Sequence, residues 1–62
     1  MEEIVRKAIF DKIRDIETTH DYQYVNGMID MAWTLGAVTK VERLALKNKA
    51  VNALYDVIKE AV

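Results

Sequence analysis

The sequence of 62 residues lacks cysteine, proline and serine, and it has one histidine and two glycines. Without cysteine the chain can form no disulfide and no thiolate-bound zinc or iron–sulfur site, and one histidine excludes a histidine-rich metal site. The nucleophiles of the common catalytic triads are missing too. The histidine, His20, lies at a predicted helix junction, where a capping or exposed role is expected. We therefore predict a chain that is not an enzyme and binds no metal or cofactor.

A dominant charge and a long apolar run are also missing. Nine basic residues stand against ten acidic ones, with a net charge of −1, so nothing attracts the whole chain to nucleic acid or anionic lipid. No stretch approaches the roughly 20 apolar residues of a membrane span. Glu2 and Glu3 stand where a secretory signal would be basic. The sequence predicts one helical domain over residues 1–62, in the cytoplasm and without a membrane contact.

The short length limits how stable a single copy can be. A chain of this size buries only about 60% of the surface that its unfolded form exposes. Small domains compensate with disulfides, metals or oligomerisation, and the first two are excluded here. Hydrophobic residues make up 52% of the chain, which supplies apolar surface for self-association. We therefore expect a homodimer.

The scarcity of helix breakers predicts an all-α fold, a three-helix unit with a long C-terminal helix. The first helix is predicted over residues 2–17. The second is predicted to begin at Asp21 or Tyr22 and to end at Leu35, with Thr19 or Asp21 as its N-cap.

The junction between the second and third helices carries the clearest local signals. Gly36 stands where a glycine can take a left-handed conformation and end a helix. Thr39 and Glu42 have the spacing of a capping box, in which each side chain accepts a hydrogen bond from the other residue's amide. The third helix then continues without a breaker to about Glu60, and it is the longest element.

Two aromatic side chains fall at the edges of the predicted core stripes when the helices are projected at about 100° per residue. Phe10 lies about 60° beyond the core stripe of the first helix, so it either packs over the rim of the core or contacts a partner. The apolar residues of the second helix cover roughly 200°, whereas a surface helix usually shows a little over 100°. Trp33, at one edge of this arc with Tyr22, either fills the core or anchors a partner.

The third helix has two apolar stripes and a polar strip only about 80° wide. The first stripe consists of Val41, Leu44, Val51, Tyr55, Ile58 and Val62. Asn48 falls within this stripe, where it either fixes the register of a helical interface or reaches water. The second stripe consists of Leu46, Ala50, Ala53, Leu54, Val57 and Ala61. Because alanines let another helix approach closely, we assign the second stripe to self-association.

A nucleic-acid-binding alternative comes from residues 28–45, whose spacing resembles a helix-turn-helix. Lys40, Arg43 and Lys47 line one face of its second helix and could meet phosphates. Glu42, however, occupies a position where the motif normally has an apolar residue, and the helix is too long and too apolar for a groove reader. Arg43 and Lys47 also border the second stripe, so they can equally rim a protein interface.

The segments Tyr24–Ile29 and Leu35–Glu42 together resemble a pattern found in small uncharacterised accessory proteins of phages and mobile elements in Gram-positive bacteria. In that pattern an aromatic and a glycine precede an apolar helix, and a glycine turn leads to a capped helix. The resemblance covers about a third of the chain. It implies an inhibitor of a host or anti-phage defence protein, or a regulator, and it carries over no functional residues.

Taken together, the residues predict a non-catalytic protein–protein interaction module whose protein partner is bound by an apolar patch, aromatic anchors and rim charges. The predicted partner-binding residues are Phe10, Tyr22, Trp33, Arg43 and Lys47. The alternative is a small DNA-binding regulator that uses Lys40, Arg43 and Lys47.

Overall fold

The computed structural model describes residues 2–61 and the side chains of residues 3–60, and it consists of three helices. They are α1 (Glu2–Arg14), α2 (Thr19–Thr34) and α3 (Lys40–Ala61). No strand occurs within residues 2–61. The all-α fold of three helices with a long third helix is therefore confirmed.

The junction between α1 and α2 differs from the prediction. Helix α1 ends at Arg14, three residues before the predicted end, and its last turn closes with a bond from the Ile16 amide to the Ile13 carbonyl at 3.2 Å. The side chain of Ile16 is buried in the core although the residue lies outside the helix. Thr18 then takes an extended conformation and caps α2, its Oγ1 accepting from the Asp21 amide at 3.0 Å. The N-cap is thus Thr18, and the assignment to Thr19 or Asp21 is wrong.

The end of α2 follows the prediction. Gly36 has φ +75°, the left-handed region that a residue with a Cβ avoids. Its amide donates to the Trp33 carbonyl at 3.0 Å, and the Ala37 amide donates to the Ala32 carbonyl at 2.8 Å. These two bonds form a Schellman motif, which satisfies carbonyls that the helix itself leaves without partners.

The capping box at the start of α3 is also confirmed. The Thr39 amide donates to Glu42 Oε1 at 2.8 Å, and the Glu42 amide donates to Thr39 Oγ1 at 3.1 Å. Because the box follows Gly36 by only three residues, the path of the chain is fixed by local bonds where it turns from α2 into α3.

The core consists of apolar side chains from all three helices and from the two connections. Helix α2 packs most extensively on α3, and α1 contacts both. The buried core residues are Ile9, Ile13, Ile16, Val25, Ile29, Ala32, Val38, Leu46 and Ala50.

The position of the second stripe of α3 corrects the self-association assignment. Leu46 and Ala50 are buried inside a single copy, Ala50 completely, so they cannot meet a second copy. Ala53 and Leu54 are partly buried against the same core, and Val57 is half-buried. The side chain of Ala61 lies outside the described residues. The closeness of approach that alanine permits brings α3 onto its own two companions instead of onto another chain.

Helix α3 is longer than the helices it packs on. Its 22 residues span about 33 Å, whereas the 16 residues of α2 span about 24 Å. The long axis of the molecule is accordingly 38 Å, against 18 Å and 16 Å for the other two. Within residues 3–60, no side chain beyond Ala50 is fully buried, so the last turns of α3 have the least cover. None of the three helices, over residues 2–61, has both the length and the apolar character of a membrane span.

Candidate functional site

An open groove lies between α1 and α2, with a volume of about 630 Å³. We call it the α1–α2 groove. Gln23 and the hydroxyl of Tyr24 are the only polar side-chain groups of its lining, since every other lining residue is apolar. The groove is lined by Ile4, Val5, Ala8, Ile9, Gln23, Tyr24, Gly27, Met28, Met31, Ala32, Leu35 and Ala37.

Large apolar side chains stand exposed along this groove. Ile4 is 71% exposed on α1, and Leu35 is 75% exposed at the end of α2. Tyr24 and Met31, seven residues apart on α2, project on the same side and are exposed as well. Such a contiguous apolar patch on a small domain is typical of an interaction surface, whereas isolated exposed apolar residues need no explanation.

A second apolar surface is the outer stripe of α3, which is turned away from the core. Val41 is 76% exposed and Tyr55 is 69% exposed. Leu44, Asn48 and Ile58 are exposed too, while Val51 is half-buried. We call these six residues the outer stripe: Val41, Leu44, Asn48, Val51, Tyr55 and Ile58. Helix α3 therefore carries apolar surface that α1 and α2 leave uncovered, and it lies on the stripe opposite to the one assigned to self-association.

One carboxylate joins α2 to α3 at what we call the α2–α3 seam. Asp30 Oδ1 accepts from Arg43 Nε at 3.1 Å and from Arg43 Nη2 at 3.0 Å, and Lys47 Nζ lies 2.9 Å away. The hydrogen bonds from Lys47 and Arg43 lower the pKa of Asp30 from its ordinary value, because they favour the charged form. The Arg43 guanidinium also lies over the Trp33 ring, 5.8 Å from its centroid.

The opposite side of α3 meets α1 at the α1–α3 seam. Arg6 Nε lies 2.6 Å from Glu42 Oε2 as an ion pair, without the alignment of a hydrogen bond. The hydrogen bond from the Thr39 amide, and secondarily the positive charge of Arg6, lower the pKa of Glu42 from its ordinary value. Lys49 Nζ lies 5.8 Å from the centroid of the Phe10 ring. A small hollow of about 90 Å³ lies here.

The five predicted partner-binding residues do not form one patch. Trp33, Arg43 and Lys47 lie together at the α2–α3 seam. Phe10 is exposed but lies at the α1–α3 seam, and Tyr22 is half-buried against the core. The first three therefore form one candidate edge, whereas Phe10 and Tyr22 belong to other parts of the molecule.

The cations of the DNA-binding alternative are only partly available. Arg43 and Lys47 both bond to Asp30, and that carboxylate would repel a phosphate at the same place. Lys40 is exposed at the start of α3. The geometry thus gives the DNA-binding alternative no support.

Reactive groups do not converge in the part of the chain that the structure describes. His20 is exposed at the start of α2. Over the same residues, no three histidine, cysteine or acidic side chains are placed to hold a metal ion. The contacts that the described side chains make are apolar packing, ion pairs and hydrogen bonds.

The groove was missed in the sequence because its residues look like core. Tyr24, Met31 and Leu35 belong to the roughly 200° apolar arc of α2, and methionines in such an arc usually fill gaps in a core. The signal was the width of the arc, since α1 and α3 together cannot cover it. Ile4 likewise extends the core stripe of α1 past the point that α2 covers.

Comparison with protein-family models, with curated proteins and with solved structures finds no match for this chain.

Proposed function

We propose that the chain is a non-catalytic protein–protein interaction module whose α1–α2 groove receives an apolar helix of a partner protein. The observation that carries this proposal is the groove itself, about 630 Å³ in volume and lined almost entirely by apolar side chains. Helices commonly bind in such grooves through apolar side chains at helical spacing. A small-molecule site adds precisely placed polar groups that orient its ligand, and this lining offers only Gln23 and the Tyr24 hydroxyl, both at open positions.

The anchors of the groove are the exposed side chains of Ile4, Tyr24, Met31 and Leu35. Tyr24 and Met31 suit this role for different reasons. A tyrosine presents an apolar ring with a polar tip, and a methionine adapts its shape to the side chain it meets. Covering these side chains removes apolar surface from water, which is the main driving force of protein association.

The module is further proposed to act in the cytoplasm as an accessory protein of a phage or mobile element and to block a host or anti-phage defence protein by covering its surface. This version rests on the resemblance of Tyr24–Ile29 and Leu35–Glu42, and those two segments contribute Tyr24, Gly27, Met28, Leu35 and Ala37 to the groove. We also propose a homodimer, because the outer stripe of α3 is apolar and exposed.

The test is affinity capture from source cells with quantitative comparison of variants. Met31→Glu places a charge in the groove, and the matched control His20→Glu places the same charge at an exposed site outside the groove on the same helix. We expect a protein that the wild type and His20→Glu retain and that Met31→Glu loses by about tenfold or more, since a buried unpaired charge is costly. Circular dichroism checks that both variants are folded. If folded Met31→Glu retains every protein that the wild type retains, the groove is not the binding site.

A further inference from the structure

The outer stripe of α3 follows a seven-residue repeat. Its members alternate steps of three and four residues from Val41 to Ile58, and Val62 continues the spacing in the sequence. These are the first and fourth positions of the heptad that packs one helix against another in a coiled coil. By projection, the outer stripe points roughly 150° away from Leu46 and Ala50, which face the core. Another helix can therefore reach it without meeting α1 or α2.

We propose that a second copy of this chain covers the outer stripe, with the two α3 helices parallel and in register, so that Asn48 of one copy lies against Asn48 of the other. This inference rests on the homodimer proposed above and assigns it a face, a direction and a register. It replaces the stripe of Leu46 and Ala50, which the fold uses internally.

Asn48 identifies the occupant of the stripe. It is exposed in the single copy, and it stands in the middle of the stripe between Leu44 and Val51. An apolar partner helix would bury its amide without a hydrogen-bond partner, which is costly. A second copy in parallel register brings an identical amide to the same level, where the two can bond to each other.

The opposite orientation satisfies Asn48 less well. In an antiparallel pair that covers the whole stripe, Val41 faces Ile58 of the second copy and Asn48 faces Val51. The amide then meets a valine and loses its hydrogen bonds. The parallel register matches each side chain with its own equivalent, as a two-fold axis along the pair requires.

The charged residues beside the stripe neither repel the second copy nor form ion pairs with it. Lys40 and Lys47 occupy the positions just before the first residue of the first two heptads, and Ala45 and Asn52 are the residues they would face in the second copy. No lysine therefore faces a lysine across the pair. Lys47 is moreover paired with Asp30 of its own chain, which it shares with Arg43. Asn48, rather than an ion pair between the copies, selects the register.

The size of the stripe sets the strength of the pair. From Val41 to Ile58 the stripe covers 18 residues, about 26 Å of helix, and it is about 10 Å wide. The area of such a strip is well below the roughly 800 Å² per partner of a standard stable interface. We therefore expect a reversible dimer with a dissociation constant on the order of micromolar.

The first part of the experiment measures mass against concentration by analytical ultracentrifugation. The full-length wild type should pass from monomer to dimer across the micromolar range. Tyr55→Glu charges the outer stripe at an exposed residue, and it should weaken the dimer about tenfold or more. His20→Glu adds the same charge outside the stripe and should dimerise like the wild type. A wild type that stays monomeric, or a folded Tyr55→Glu that dimerises unchanged, overturns the inference.

The second part reads the direction of the pair. Because the chain has no cysteine, Val41→Cys introduces the only thiol, and a disulfide needs Cα atoms about 4.4–6.8 Å apart. In the parallel register Val41→Cys should cross-link to itself under mild oxidation, and the off-stripe control Glu60→Cys should not. In an antiparallel pair the two thiols lie about 26 Å apart and stay reduced.

Two failures are thereby separated from each other and from a failure of the groove proposal. A wild type that dimerises while Val41→Cys stays reduced overturns the register and leaves the homodimer standing. A monomer at every concentration overturns both. In either case the groove partner is unaffected, because Tyr55→Glu should still retain it, whereas Met31→Glu should lose it and still dimerise.

Discussion

Both sides of α3 are apolar, but one is buried in the core and the other is exposed. The inner side places Leu46 and Ala50 in the core, and the outer side exposes Val41, Leu44 and Tyr55. The inner residues include small side chains that allow helix axes to approach closely, and the outer residues are mostly large. Where both sides of a helix are apolar, side-chain size here indicates which side faces the helix's own bundle and which remains for a partner.

The largest effect should separate the two leucines that lie on opposite sides of α3. Leu46→Ala should lower the free energy of unfolding by about 2–5 kcal/mol, because it leaves a cavity in the core. Leu44→Ala removes the same atoms from an exposed position and should cost less than about 1 kcal/mol. Urea unfolding followed by Trp33 fluorescence, at concentrations where the chain is monomeric, measures both. Equal losses would contradict the assignment of inner and outer sides.

The same comparison can be made with alanines. Ala50 is 0% exposed, so Ala50→Leu should overpack the core and destabilise the fold by about 1–3 kcal/mol. Ala45→Leu, on the exposed part of the same helix, should change stability by no more than about 0.5 kcal/mol. Thermal unfolding by circular dichroism gives both values. If Ala50→Leu were as stable as Ala45→Leu, helix α3 would not approach α1 and α2 as closely as described.

Substitutions of the two glycines test whether the connection at Gly36 sets the direction of α3 relative to α2. Gly36→Ala keeps the turn only by placing a Cβ at φ +75°, which should cost about 1 kcal/mol. Gly27→Ala is the matched control inside α2, where an added Cβ meets nothing within 4 Å. It should raise stability by roughly 0.5–1 kcal/mol. Chemical unfolding of the two variants should therefore shift in opposite directions, and a shift in the same direction would contradict the role of Gly36.

The smallest effect concerns the two seams that border the inner side of α3. Asp30 at the α2–α3 seam and Glu42 at the α1–α3 seam each have a lowered pKa. A carboxyl whose pKa is lower in the folded state stabilises the fold above its unfolded pKa, and this contribution is lost as the pH falls through the folded pKa. As the pH is lowered below about 4, the urea concentration at the unfolding midpoint of the wild type should therefore decrease. Asp30→Asn and Glu42→Gln should each reduce that fall, and an unchanged acid dependence in both would show that these bonds add no stability.

Local signals in the sequence were sufficient for the connection between α2 and α3. Gly36, Thr39 and Glu42 form their bonds with near neighbours, so the spacing predicts the left-handed glycine that ends α2 and the capping box that begins α3. Thr18 was missed because two threonines stand side by side with equal capping capacity. The choice between them depends on Ile16, which is held in the core by tertiary packing.

Tertiary packing also explains what the sequence left open about the surfaces. Periodicity gave the two stripes of α3 but not their rotation, which the contacts with α1 and α2 decide. Tyr24 and Met31 belong to the broad arc of α2, and only the positions of the neighbouring helices show that this part is left uncovered. The cations Arg43 and Lys47 were recognised, but their common partner Asp30 lies on another helix at a distance in sequence that no local pattern reveals.

Asp30 is bound by two cations, Arg43 and Lys47, and this has a consequence for which substitutions the protein can accept over generations. Since Arg43 and Lys47 share one oxygen, replacing either cation leaves the carboxylate with the other. One of the two ion pairs at the α2–α3 seam is therefore sufficient. Neutral drift can replace one basic residue beside Trp33 without leaving the Asp30 carboxylate unpaired. The basic residues at that edge can therefore vary one at a time while the joint between α2 and α3 persists.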